Sequence, residues 1–114
     1  INVVDLDRAK KLYDHVLQTN IRKEEMEGYP PMGIIPDEGV NGALVEDEEY
    51  EAPEHSGVML YFDGSSGINP YLERVEEAGG EVVVPRSFVN ESVGYWAAFS
   101  DLDGNLLAFY ESPQ

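Results

Sequence analysis

Two apolar helix stripes, each set among short strand-like runs in the same order, restrict the folds open to this chain. Leu6, Ala9, Leu12, Tyr13, Val16 and Leu17 recur at three- and four-residue spacing, and so do Ile68, Tyr71, Leu72, Val75 and Ala78. Such spacing lays side chains along one face of a helix, so it predicts helices over about 6–17 and 68–78. Asp5 precedes the first and is suited to accept a hydrogen bond from an early helical N–H. Pro70 is acceptable in the first turn of the second, and Gly79-Gly80 stops it. His15 reads as an ordinary half-exposed helix residue rather than a ligand. Strand runs are predicted at 1–4, 20–27, 32–35, 41–45, 57–62, 81–84, 95–100 and 106–111. The run at 41–45 reads as an edge, and Pro85 is expected to end the run before it.

The resulting order is β-α-β-β-β twice, with the second copy starting halfway along 114 residues. The halves hardly match residue by residue, so the repeat rests on element order. A strand, a crossover helix and a three-strand meander make a mixed sheet with one face under the helix. The expected fold is α+β, with two βαβββ modules forming paired, curved mixed sheets. The modules are placed at about 1–50 and 57–114 of a single domain, joined by an acidic linker at about 46–56. The apolar faces left by the helices are expected to bury against each other and leave a pocket.

The last two strands are joined at Asp103-Gly104-Asn105. Gly and Asn tolerate the positive φ that tight turns need, so this is a strong hairpin signal.

Charge excludes several functions. The chain carries 23 acidic and 7 basic residues, a formal net charge of −16. Such a surface repels phosphate backbones and anionic membranes, so neither nucleic acid nor membrane is expected as a partner. No apolar run approaches the ~20 residues that span a bilayer. Cys is absent, which removes disulfides, thiolate catalysis and Cys-type metal sites. A cytoplasmic location is the default. Ser65, Ser66 and Ser87 have no indicated His partner, so no nucleophile–base pair is legible.

Three stretches now bear on family. The first is Val4-Asp5-Leu6-Asp7-Arg8-Ala9-Lys10-Lys11-Leu12-Tyr13. The second is Gly57-Val58-Met59-Leu60-Tyr61-Phe62, with its helix ending at Ala78-Gly79-Gly80. The third is Phe99-Ser100-Asp101-Leu102-Asp103-Gly104-Asn105. In this order, over a duplicated element pattern, the chain resembles the vicinal-oxygen-chelate superfamily of glyoxalases, bleomycin-resistance proteins and extradiol dioxygenases. Leu102 stands where that family's turn has Pro.

The resemblance implies one divalent metal in members that are enzymes, held by His and Glu from the first and last strands of each half. Here the pattern fails where it can be followed. Ala108 stands where a ligand Glu is expected, three residues after Asn105. The middle-strand position falls at Val58 or Met59. The strand ending the first half offers Glu46, and the first position lies at or before Ile1, where Asn2 is a poor substitute. His55 would need a shifted register. No metal or other cofactor is therefore expected. Glu46 and His55 are the weak metal candidates, and a divalent metal is expected only with ligands from outside this chain.

What remains is an apolar and aromatic surface. Side chains two residues apart share a strand face. Met59, Tyr61 and Asp63 therefore share one, and Leu106, Ala108 and Tyr110 another. Tyr95 and Trp96 point to opposite faces. Met59, Tyr61, Trp96, Ala108 and Tyr110 are the candidate ligand-binding residues, with small Ala108 leaving room for a planar or cationic molecule. The expected function is metal-independent binding of a small organic molecule in a pocket between sheets. The alternative is a divalent-metal-dependent lyase, isomerase or dioxygenase using an N-terminal or partner-chain ligand. A third reading is an interaction module whose sheet face is covered by another protein. The resemblance also implies a homodimer.

Overall fold

The computed structural model describes residues 1–36, 42–52 and 59–113. Expectations placed on 37–41, His55, Gly57 and Val58 lie outside the described residues. The chain divides into two compact units, Ile1–Glu51 and Ala52–Gln114.

The first unit contains β1 (Asn2–Val3), α1 (Leu6–Leu17), β2 (Arg22–Glu24), β3 (Met32–Ile35) and β4 (Gly42–Glu46). Its four strands form one mixed sheet in the order β1-β4-β3-β2. The β1–β4 pair is parallel and the other pairs are antiparallel. The Asp5 side chain accepts from the Arg8 N–H at 3.1 Å and caps α1. Leu6, Ala9, Leu12, Tyr13 and Val16 are the buried stripe of that helix. They share the core of this unit with Val3, Ile21 and Leu44.

The second unit contains β5 (Tyr61–Asp63), α2 (Ile68–Glu77), β6 (Glu81–Asn90), β7 (Gly94–Ser100) and β8 (Leu106–Glu111). The strand order is β5-β8-β7-β6, with β5 parallel to β8. This is the arrangement of the first unit, so the two halves share topology as well as element order. Ile68, Leu72 and Val75 of α2 are buried. Phe109 is central to this core: its ring stacks on Tyr71 at 4.6 Å and on Phe99 at 5.5 Å, and tilts against Phe62 at 5.6 Å.

The turn between β7 and β8 is built on Asp101, whose side chain accepts from the backbone N–H groups of Asp103 and Asn105 and from Asn105 Nδ2, each at 2.9 Å. Asp101 is 7% exposed, so these bonds satisfy a carboxylate largely removed from water.

Three sequence expectations are corrected. The strand expected to stop at Pro85 runs on to Asn90. Pro85 is tolerated because β6 is an edge strand and its pairing with β7 shifts register between Val84 and Ser87. The strand expected to be an edge, β4, is interior, because β1 pairs with its outer side in parallel. The strand over 57–62 is shorter among the described residues, reaching only from Tyr61 to Asp63, although the Leu60 carbonyl still accepts from the Ala108 N–H at 2.9 Å.

Candidate functional site

The second sheet has one face under α2 and one face away from it, and strand register sorts its side chains between them. Phe62, Phe109 and Ala97 form one cross-strand row, and Leu107 pairs with Phe99. Contact between Phe109 and Tyr71 of α2 marks this as the helix side. The opposite face carries two central rows. One runs Tyr61, Ala108, Ala98, Val84, and the other runs Asp63, Tyr110, Trp96, Ser87.

Four of the five candidate ligand-binding residues, Tyr61, Ala108, Tyr110 and Trp96, therefore occupy two adjacent rows of one face. Met59 precedes β5 and is half-buried. Tyr61 is 58% exposed, while Trp96 and Tyr110 are half-buried. Ala108 was expected to leave room beside the tyrosines, but it has no exposed surface. It offers no open surface between Tyr61 and Ala98, its register neighbours. Tyr95 takes the other face, where the Arg86 guanidinium lies 3.6 Å from its ring centroid.

Asp63 sits beside Tyr110 in register and is exposed. Its Oδ1 accepts from the Ser65 N–H at 2.9 Å and from the Ser65 hydroxyl. Those bonds stabilise the ionised form and hold its carboxyl below the usual carboxylate range. The Asp63-Gly64-Ser65 spacing is the sequence signal for this anchored carboxylate, because Asp side chains bond the backbone two residues on.

Two further carboxylates have placements that no local signal announces. Glu46 ends β4, and its Oε1 accepts from the Leu6 N–H at the start of α1, at 3.0 Å. Glu111 ends β8, and its Oε1 accepts from the Ile68 N–H at the start of α2, also at 3.0 Å. Each module thus uses the last residue of its last strand to satisfy the first N–H of its crossover helix, where the helix dipole also favours negative charge. Glu46, the carboxylate singled out for metal, is turned to the helix side of its sheet. His55 lies outside the described residues.

Glu111 also takes Arg86, with Nη2 to Oε2 at 2.7 Å and Nε to Oε1 at 3.1 Å. The bond from Arg86, and then that from Ile68, holds the Glu111 carboxyl below its ordinary 4.5. A lowered folded-state pKa means the stabilisation is fully present above pH 4.5 and is lost as pH falls through the folded-state value. Glu111→Ala is expected to destabilise the protein by about 1 kcal/mol at pH 7, the usual cost of a lost cap. Urea melts should show this gap closing below pH 4.5. A gap unchanged at pH 3 would show that the charge of Glu111 adds nothing.

With this geometry in hand, comparison with known proteins is decisive for family. The sequence model of the Glyoxalase/Bleomycin resistance protein/Dioxygenase superfamily matches residues 1–109. The chain belongs to this superfamily. Solved structures of the superfamily and of other proteins share the fold. A hypothetical protein, SA1046, from S. aureus is 28% identical, with a TM-score of 0.72 over 97% of this chain and 91% of that one. A glyoxalase/bleomycin resistance protein from Albidiferax ferrireducens is 20% identical, with a TM-score of 0.74 over 97% and 94%. A mutant of the fosfomycin resistance protein FosX from Listeria monocytogenes, complexed with Mn(II) and 1S,2S-dihydroxypropylphosphonic acid, is 14% identical, with a TM-score of 0.70 over 98% and 87%. None of the curated proteins matches the chain in sequence.

Divalent metals are frequent in the glyoxalase/bleomycin-resistance superfamily, so the donor set of this chain bears on its chemistry. On the faces turned away from the helices, the first and last strands present Asn2, Ala43, Val45, Tyr61, Asp63, Leu106, Ala108 and Tyr110. Asp63 is the one carboxylate in that set, and it contains no imidazole. A catalytic metal takes about three protein ligands. Among the described residues no three His, Asp or Glu side chains are gathered to hold one. The described residues do not fit the metal that the family implies. No helix among them is long and apolar enough to cross a membrane.

Proposed function

We propose that this superfamily member binds a small organic molecule on the helix-free face of its second sheet, without a metal. One observation supports the reading above the rest: Tyr61, Trp96 and Tyr110 share two adjacent rows of this face, beside the small, buried Ala98 and Ala108. Aromatic rings offer large flat contact area, and the two phenol hydroxyls can orient a ligand by hydrogen bonds. The donor chemistry of the strand faces favours binding over metal-assisted turnover. We extend the reading to a cytoplasmic homodimer. The lack of Cys is compatible with a reducing compartment, and dimers are common in the superfamily.

The test combines native mass spectrometry with elemental analysis of the purified protein before and after chelation. The expected result is an organic ligand retained after chelation, with less than stoichiometric metal. Tyr110→Ala should weaken retention about tenfold or more, the equivalent of ~1.4 kcal/mol. About one divalent ion per chain, with ligand retention lost on its removal, would replace this reading with the metal-dependent lyase, isomerase or dioxygenase.

A further inference from the structure

Charge on the second sheet is divided between its faces as sharply as its side chains are. Residues 52–114 contain two arginines, Arg74 and Arg86, and no lysine. Both arginines belong to the helix side. Arg86 lies over Tyr95 and pairs with Glu111. Arg74 lies 4.7 Å from the ring centroid of Tyr71, which itself stacks on Phe109. The two tyrosines of that side thus already carry a cation.

Among the described residues, the helix-free face has aromatic rings and no basic residue of its own. Its charged side chains by register are Asp63, beside Tyr110, and Glu81, opposite Ser100 at the far end of β7. Ser65 engages Oδ1 of Asp63 and thereby sets the orientation of the carboxylate. No other described residue engages Oδ2. The row Asp63, Tyr110, Trp96 crosses three strands, roughly 10 Å at the ~4.8 Å strand spacing. An anchored carboxylate at one end of two aromatic side chains is complementary to an organic cation: the aromatic faces attract it, and the carboxylate supplies the counter-charge.

We infer that the ligand of this face is an organic cation of the alkylammonium class, with its charge held between Asp63 and the rings of Tyr61 and Tyr110. This rests on the reading of the face as a ligand site, and adds to it the ligand's charge and the residue that selects it. Glu81 serves as an internal control. It lies four residues along the sheet from the Trp96 row, about 13 Å at ~3.3 Å per residue, beyond the ~8 Å screening length at physiological salt.

Trp96 is the single tryptophan of the chain, so its fluorescence reports on this face alone. The probes are choline and its uncharged isostere 3,3-dimethylbutan-1-ol, titrated into the full chain, Asp63→Asn and Glu81→Gln. Choline is expected to change the Trp96 emission saturably and to bind more tightly than the alcohol. Asp63→Asn should weaken choline about three- to fivefold, the range of an exposed ion pair, and leave the alcohol unchanged. Glu81→Gln should leave both unchanged. Equal binding of the two probes, with neither variant altering it, would overturn the cation inference and leave the ligand face standing. Equal losses in both variants would overturn the role of Asp63 in favour of diffuse charge. No response of Trp96 to either probe would overturn the inference and the ligand face together.

Discussion

Phe109→Ala is expected to destabilise the protein by about 3–5 kcal/mol, the range for removing a buried aromatic ring. Phe109 has no exposed surface and lies on an interior strand of the second sheet. Its ring meets Tyr71 of α2, Phe62 of β5 and Phe99 of β7, so it joins the helix to both strands beside its own. Truncation leaves a cavity bordered by three other rings, which cannot all close over it at once. Phe109→Leu retains most of the volume and should cost clearly less. The check is urea denaturation of both variants with the unfolding slope held common. A loss below about 1 kcal/mol for the alanine variant would mean that the core collapses around the gap, against the usual large-to-small cost.

Gly94→Ala is the second large effect, about 3 kcal/mol or more, and its origin is backbone rather than core. Gly94 opens β7 at a φ of +100°, where a Cβ is unfavourable. Space makes the position worse. A Cβ there would lie 2.4 Å from the Glu111 carbonyl oxygen, 2.8 Å from the Pro113 nitrogen and 2.9 Å from the Ser112 carbonyl carbon. Those are main-chain atoms and cannot swing aside as a flexible side chain would. Gly28 separates the two contributions, because it has a φ of +86° but nothing within 4 Å of the added carbon. Gly28→Ala should cost only the conformational part, about 1 kcal/mol. Thermal melts of the two variants side by side give the comparison. Equal shifts would show that the chain beyond β8 moves away from the new methyl group.

Both positions bear on the candidate site. Phe109 lies on β8 between Ala108 and Tyr110 with its ring on the other face, and Gly94 begins the strand that carries Trp96. A binding measurement on either variant therefore has to be made on the folded fraction, whereas Tyr110→Ala and Asp63→Asn alter side chains on the helix-free face and leave that core in place.

Local periodicity made the elements legible. Three- and four-residue spacing located α1 to its ends, and placed α2 to within a residue of its end, because a helix face repeats within a few turns of the same segment. Two-residue alternation put Tyr61 with Asp63, put Ala108 with Tyr110, and set Tyr95 against Trp96, because successive strand side chains alternate whatever lies next to them. Asp103-Gly104-Asn105 marked the last hairpin for the same reason: a tight turn is settled by its own few residues.

What the sequence by itself determined, then, is what a segment decides within its own length: two helix faces, strand parity, the closing turn, and a repeated element order resembling one superfamily. The tertiary structure alone decided which strands are neighbours. That made β4 interior, let β6 run through Pro85 at an edge, and aligned Asp63 with Tyr110 and Trp96 from three different strands. It also decided that Glu46 and Glu111 cap helices 40 and 43 residues away in the chain. Partners that distant leave no periodic trace in the sequence. They are chosen when the sheet closes, because a helix start whose N–H groups would otherwise lack partners accepts whichever carboxylate the register delivers.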